Sequence, residues 1–249
     1  MKTQSTSSRR DQDFPSRLEP RASRLSIIIP TLNEGEAIGE FLRALQSFRQ
    51  RGAELILADG GSTDATIEVA SGRVDRTLVA SKRGRAAQMN EGAALARGNV
   101  LLFLHADTGL PAHADRRILE GLAASGCRWG RFDVRLSGSA YLLRWVERLM
   151  NIRSRMTGIA TGDQAIFVER TLFDAIRGFP DIALMEDIAI SRTLKRHGRP
   201  LCLTDKVLTS SRRWERHGIW RTIFLMWRLR LAYFFGTPPD QLARRYHGR

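Results

Sequence analysis

Cysteine is nearly missing from this chain: Cys127 and Cys202 are the only two in 249 residues. They lie far apart and form no C-x-x-C pair. That excludes a disulfide framework and a cysteine-based zinc site, and fits reduced thiols in a cytosolic protein. Glycine-rich phosphate loops are missing too. No G-x-G-x-x-G follows the first apolar run and no G-x-x-x-x-G-K-[ST] occurs, so dinucleotide-binding and P-loop readings lose their main support. No apolar run reaches the length of an uninterrupted membrane span. Residues 1–24 are polar and basic, lack the apolar stretch of a secretory signal, and read as a disordered leader. Acidic residues are few beside basic ones, 26 against 40, which leaves a formal net charge of +14. Such a balance favours anionic partners and says little about fold. Basic residues interleaved with aromatics gather only near 212–235, without a recognisable binding module, so no specific nucleic-acid partner is expected.

What the chain does have is a core, with 43% apolar residues, and two strand ends that each deliver an acid. Leu55–Ala58 is apolar, ends in Asp59, and breaks into Gly60-Gly61-Ser62-Thr63-Asp64. Val100–Leu104 repeats the logic and ends in His105-Ala106-Asp107. Buried parallel strands look like this, and in open α/β sheets ligands sit at their carboxyl ends. The element order supports the same fold. Leu25–Ile29 reads as a strand stopped by Pro30, with Asn33 capping a helix through Glu36. Ile38, Phe41, Leu42, Leu45 and Phe48 recur at helical spacing up to Gly52. A helix near Thr63–Ala70, a strand at Thr77–Ala80, a helix from Gly84 to Ala96 closed by Gly98, and the strand at 100–104 follow. The second half predicts an antiparallel strand at Arg131–Leu136, helices at Ala140–Arg153, Thr171–Arg177 and Glu186–His197, and strands at Gln164–Val168 and Leu201–Leu203. Taken singly, each acid has a plain use. Asp59 can organise a turn, Asp107 can cap the turn before Pro111, and Glu186-Asp187 can be an ordinary acidic helix start.

Taken together, the motifs point further. Pro30-Thr31-Leu32-Asn33-Glu34, A-D-G-G-S-T-D-A-T (58–66), G-R-A-A-Q-M-N (84–90), F-L-H-A-D-T (103–108), T-G-D-Q-A-I-F-V (161–168), F-P-D-I-A-L-M-E-D (179–187) and S-R-R-W (211–214) resemble, in order and spacing, the family 2 glycosyltransferases. Within that family they look like the radical-SAM/selenodomain-associated branch, over roughly residues 25–249. The resemblance implies an α/β fold of GT-A type, a Rossmann-like mixed, mainly parallel sheet flanked by helices, and a nucleotide-diphospho-sugar donor. It also implies a divalent cation, Mg or Mn, and inversion at the anomeric carbon. Carried over by position, Pro30, Thr31, Asn33, Glu34, Asp59, Arg85, Asn90, His105, Ala106 and Asp107 would bind the nucleotide sugar. Among these, Asp59 would meet the base, and Asp107, with His105, the metal. Asp187 would be the catalytic base beside Glu186. Gly162, Asp163, Gln164, Arg212, Arg213 and Trp214 would face the acceptor or a phosphate. The chemistry suits these residue types: a cation neutralises a departing diphosphate, and a carboxylate takes the acceptor's proton. Two positions depart from the family pattern, since Ala58 replaces the first acid of D-D-G-S and His105 the first acid of D-x-D.

Residues 219–235 read as a helix apolar on two sides, with Trp220, Ile223, Phe224, Trp227, Leu231 and Phe234 in front and Leu225, Met226, Leu229 and Tyr233 behind. Arginines lie between, which argues against spanning. Such a helix needs two apolar partners: the catalytic domain, and either an anionic membrane surface or a second subunit in a homodimer. The expected organisation is a leader (1–24), a catalytic domain (25–215) and a C-terminal amphipathic helix with its tail (216–249). The location expected is cytoplasmic, peripheral on the inner face of the membrane. The expected acceptor is a hydroxyl compound, lipid-linked ones included. The competing readings are a sugar-phosphate nucleotidyltransferase, a basic nucleic-acid-binding protein and a non-catalytic scaffold.

Overall fold

The computed structural model describes residues 25–247, apart from the side chains of Arg213, His217 and His247. The leader expected at 1–24 lies outside the described residues. Strand β1 (Leu25–Thr31) is buried along its whole length and lies between β2 (Glu54–Asp59) and β4 (Val100–Phe103), parallel to both. Its side chains alternate between two cores. Ile27 and Ile29 face one side with Leu55, Leu57 and Leu102, and Ile28 faces the other with Ile56, Leu101 and Phe103. Helix α1 (Ile38–Gln50) buries Ile38, Leu42, Leu45 and Phe48 against the first face. Helix α3 (Arg85–Leu95) buries Ala86, Met89 and Ala93 against the second. Short α2 (Thr66–Ala70) and β3 (Arg76–Val79) complete this half, with β3 parallel to β2.

The chain then runs through β5 (Thr108–Gly109), α4 (Ala114–Ser125), β6 (Trp129–Leu136), α5 (Tyr141–Thr157), a 3-10 turn (Gly162–Gln164), β7 (Phe167–Glu169), α6 (Arg170–Ala175), α7 (Glu186–Lys195) and β8 (Leu201–Thr209). The eight described strands form one sheet in the order β3-β2-β1-β4-β7-β6-β8-β5. It is mixed, and parallel at β3-β2, β2-β1, β1-β4 and β6-β8. Helices α8 (Arg212–His217), α9 (Ile219–Phe234) and α10 (Pro239–His247) close the chain.

Several local expectations are corrected. Pro30 does not stop β1, which pairs on through Thr31↔Asp59 with β2. The last β4 partner is Ile28, so the amide that proline lacks is one the β4 ladder no longer needs. Asn33 does not cap α1. It sits at φ 54°, and its side-chain oxygen accepts the Thr63 amide at 2.9 Å, tying the two strand-end loops together. Helix α2 starts later than expected because Asp64 accepts the Thr66 amide at 3.0 Å and holds residues 63–64 in the loop. Gly98 is no left-handed helix cap. It is glycine because a Cβ there would lie 2.6 Å from the Ser26 amide nitrogen of β1. Strand β6 is antiparallel to β7, as expected, but parallel to β8, which is three times the expected length. The stretch Gln164–Ile166 is turn and loop, and β7 begins at Phe167.

Candidate active site

The carboxyl ends of β1 and β4, the head of α3 and the head of α7 surround a cleft of about 360 Å³. Strand β1 and its loop contribute Pro30, Thr31 and Glu34, and the end of β4 contributes His105, Ala106 and Asp107. Arg85 stands at the first position of α3 and Glu186 at the first position of α7. The ends of β1 and β2 are clamped together by Gln88, whose amide donates to the carbonyls of Thr31 (2.7 Å) and Ala58 (2.9 Å).

A second cavity of about 80 Å³ adjoins the first, sharing Arg85, His105 and Glu186 and adding Thr161, Gly162, Asp163, Asp187 and Arg230. Asp187 Oδ2 accepts the Gly162 amide at 2.9 Å and Oδ1 accepts the Ile188 amide at 2.7 Å, so the carboxylate is fixed between two elements. Met185, just before α7, is held at φ 70°, a left-handed conformation that costs a side-chain-bearing residue roughly 1–2 kcal/mol. That strain turns the chain so that both acids stand at the positive end of the helix. His105 is 12% exposed, with Nδ1 3.7 Å from Asp163 Oδ1. Gly162 lies directly on its ring: a Cβ there would come within 2.4 Å of Cε1.

The electrostatics are those of an acid cluster crossed by arginine. Burial raises the Glu186 carboxyl above the ordinary range, and Asp187 adds to the shift more than Arg85 opposes it. Glu34 is raised in the same way, by burial and then by Asp107. Burial would raise Asp163 as well, but His105, Arg85 and Arg230 outweigh it and hold the group low. Burial disfavours the charge on Arg85, yet Glu186, Asp163 and Asp107 more than compensate.

Eight of the residues singled out in the sequence line the larger cleft: Pro30, Thr31, Glu34, Arg85, His105, Ala106, Asp107 and Glu186. Gly162, Asp163 and Asp187 line the smaller one. Asn33 and Arg212 line an open outer hollow beside Asp64, which shares Glu34 with the larger cleft. Asp59 is fully buried and faces neither cavity. Its oxygens accept the Gly61 and Ser62 amides (2.8 and 2.7 Å) and the Ser62 hydroxyl (2.5 Å), so its work is to shape the turn after β2. Asn90 exchanges two hydrogen bonds with the Phe179 backbone (2.8 and 2.9 Å) and binds α3 to the loop before α7. Gln164 is buried under the 3-10 turn, with Oε1 accepting the Thr161 amide at 3.2 Å. Trp214 packs against Leu136, Leu143 and Val146. The Arg213 and His217 side chains lie outside the described residues. The expected packing of segment 216–249 on the catalytic domain named no site residue there, yet Tyr246 of α10 and Arg230 and Met226 of α9 reach the cavities. A helical reading of 239–247, with buried Leu242 and half-buried Tyr246 one turn apart, was the available signal.

Comparison with known proteins gives a consistent picture. The model of the family described as "Glycosyl transferase family 2" matches residues 26–163, more than half of the chain. An undecaprenyl-phosphate 4-deoxy-4-formamido-L-arabinose transferase of Pseudomonas aeruginosa is 28% identical over 150 residues, covering 56% of this chain and 44% of that protein. A PGL/p-HBAD biosynthesis glycosyltransferase of Mycobacterium bovis is 38% identical over 95 residues, covering 36% of this chain and 37% of its own length. The chain thus spans less than half the length of these curated relatives. Among solved structures, the mannosyltransferase PcManGT of Pyrobaculum calidifontis, in complex with GDP-Man and Mn2+, aligns with a TM-score of 0.64 at 20% identity, over 86% of this chain and 62% of that one. The fold is that of the GT-A glycosyltransferases.

Proposed function

Because the chain belongs to glycosyl transferase family 2, we propose that it moves a sugar from a nucleoside-diphosphate donor to a hydroxyl acceptor, with inversion at the anomeric carbon. One observation carries this reading. Two joined cavities share Arg85, His105 and Glu186, with Asp107 on the larger side and Asp187 on the smaller. Donor and acceptor then approach from opposite sides, as a single displacement requires.

The donor occupies the larger cleft. Pro30, Thr31 and Glu34 border the nucleotide, and Arg85 pairs with the diphosphate. Among the described residues no group of three or more His, Cys, Asp or Glu side chains gathers that could hold an ion alone. Asp107 is an exposed carboxylate on the cleft, which suits Mg²⁺ or Mn²⁺ held jointly by an acid and the donor's phosphates. Such a cation, when bound, neutralises the departing diphosphate. His105, with Asp163 beside it, is the other candidate donor atom toward an ion.

Asp187 takes the acceptor's proton as its oxygen attacks the anomeric carbon, while the sugar–phosphate bond breaks and the nucleoside diphosphate leaves. Its two backbone hydrogen bonds aim it toward the cavity. The catalytic unit spans 25–215, and segment 216–249 completes it, since Met226, Arg230 and Tyr246 line the cavities. The outward residues of α9, Trp220, Phe224, Trp227, Leu231 and Phe234, dock on an anionic membrane surface with Arg221 and Arg228 beside them. Among the described residues no helix is long and apolar enough to cross a membrane, and the free cysteines fit the cytoplasmic face. Flotation with anionic vesicles tests the docking. Dimerisation in place of flotation would assign that face to a second subunit.

The decisive experiment replaces Asp187 with Asn. Thermal-shift screening against UDP, GDP, TDP and CDP sugars, with and without Mn²⁺, identifies the donor. Transfer is then expected to fall by about 10²–10⁴-fold with donor binding kept, the usual range for loss of a general base. Undiminished transfer by this variant refutes the assignment.

A further inference from the structure

The wall shared by the two cavities has a polar part and an apolar part. Arg85, His105 and Glu186 make the first, Leu184 and Tyr246 the second. Of the two cavities, Asp107 lines only the larger and Asp187 only the smaller. A carbon that exchanges a departing phosphate for an attacking oxygen therefore lies at this shared wall. The sugar built on that carbon rests there too. Among the described residues, Tyr246 is the one Phe, Tyr or Trp on either of these cavities. The His105 ring is no equal alternative, since the Gly162 backbone already lies against it.

Local structure brings the tyrosine to this wall. Gly236, at φ 88°, caps α9: its amide donates to the Tyr233 carbonyl at 3.1 Å and the Thr237 amide to Ala232 at 2.9 Å. These are the two bonds of a helix that ends on a left-handed glycine and turns its chain aside. Pro239 then opens α10 at the position where a helix tolerates proline best. Leu242 is fully buried among Met185, Ile188 and Leu229. Tyr246, four residues on, shares its face and packs with Leu184 on the same cluster. Met185 directly precedes α7, so α10 rests on the head of the helix that carries Glu186 and Asp187. Tyr246 stays half-buried, and it borders the cavities.

We propose that the ring of Tyr246 is the platform on which the transferred sugar lies, which makes α10 part of the donor site. The inference rests on the reading of the larger cleft as the donor side. A pyranose is amphipathic: its C–H groups form an apolar face and its hydroxyls a polar rim. The apolar face suits Tyr246 beside Leu184, and the rim suits Arg85 and Glu186. The ring orients the sugar and exchanges no proton. The nucleoside diphosphate, extending toward Asp107 and Thr31, depends on the ring far less.

The test is calorimetric titration of the full chain, with Mn²⁺, against UDP-glucose, GDP-mannose, TDP-glucose and CDP-glucose, each beside its free diphosphate. The readout is the affinity of a sugar nucleotide relative to that of its own diphosphate. For the pair that binds the parent, Tyr246→Ala is expected to lower this ratio about tenfold, near the upper end for an aromatic contact. Tyr246→Phe should keep the ratio, because it keeps the ring. Asp187→Asn should keep it too, so a failed base assignment and a failed platform give different results. An unchanged ratio in Tyr246→Ala overturns the proposal, and if both affinities fall together the tyrosine is purely structural. A ratio lost equally in Tyr246→Phe also overturns it and assigns the effect to the hydroxyl. A parent that binds no pair removes the donor reading and this inference with it.

Discussion

Replacing Gly162 with alanine separates a packing cost from a catalytic one. The residue sits in the 3-10 turn, and its φ is outside the left-handed region, so the backbone itself accepts alanine. The obstacle is His105. An added Cβ would lie 2.4 Å from Cε1 and 2.6 Å from Nε2, whereas ordinary contact begins near 3.4 Å, so the ring must retreat by the 1.0 Å difference. The void behind it, lined by Met89, Phe103 and Phe179, holds about 10 Å³ and cannot receive an imidazole. The ring therefore moves toward the cleft. Overpacking of this kind costs about 1–3 kcal/mol, and alanine returns about 0.4–1 kcal/mol through the unfolded chain. The net loss of about 1–2 kcal/mol lowers Tm by about 3–6 °C in a chain of this size. A misplacement of about 1 Å in a reacting constellation costs about 10²-fold in rate. Catalysis should thus suffer far more than stability. Nucleoside-diphosphate release with the identified donor, alongside thermal melting, measures both. On a His105→Ala background the same change should do almost nothing further, because the clashing ring is gone. Full activity in the single variant, or effects that multiply in the double variant, would refute the reasoning.

Two further outcomes concern buried charge. Asp133→Ala strips the carboxylate that Arg131 and Arg155 share and leaves fully buried Arg131 uncompensated, at a cost of about 3–5 kcal/mol in denaturant unfolding; adding Arg131→Met should recover most of that loss. Glu186→Gln should stabilise the protein at neutral pH. The raised Glu186 carboxyl makes the folded chain bind its proton more readily than the unfolded one. Its favourable contribution is therefore present at acid pH and lost as pH rises from the ordinary glutamate range through the raised value. Melting curves of the two proteins should coincide in acid and part above that window, and a gap that widens in acid would contradict the sign.

Much of the architecture was legible because it repeats. The alternation of Ile27, Ile28 and Ile29 between two cores, and the helical spacing of Ile38, Leu42, Leu45 and Phe48, need only local geometry. What misled was local chemistry with more than one use. Asn33 carries the side chain of a helix cap, yet a loop 30 residues on claims its oxygen. Gly98 looks like a helix stop, yet its smallness serves a neighbouring strand. Asp59 looks like a ligand-facing acid, yet the turn that follows consumes it. Each is decided by a partner that spacing along the chain does not reveal.

From its sequence alone the chain determined its alternating strands, its amphipathic helices, and the acids and arginine that stand at strand and helix ends, since these follow from side-chain period and residue chemistry. Tertiary structure alone decided that Asp107 and Asp187, 80 residues apart, face two chambers of one site while Asp59 is walled off behind it. It also decided that Met226, Arg230 and Tyr246 of the last two helices reach those chambers. Burial and charge pairing depend on which elements come to rest together, and that is a property of the packed sheet and its helices, not of any segment within it.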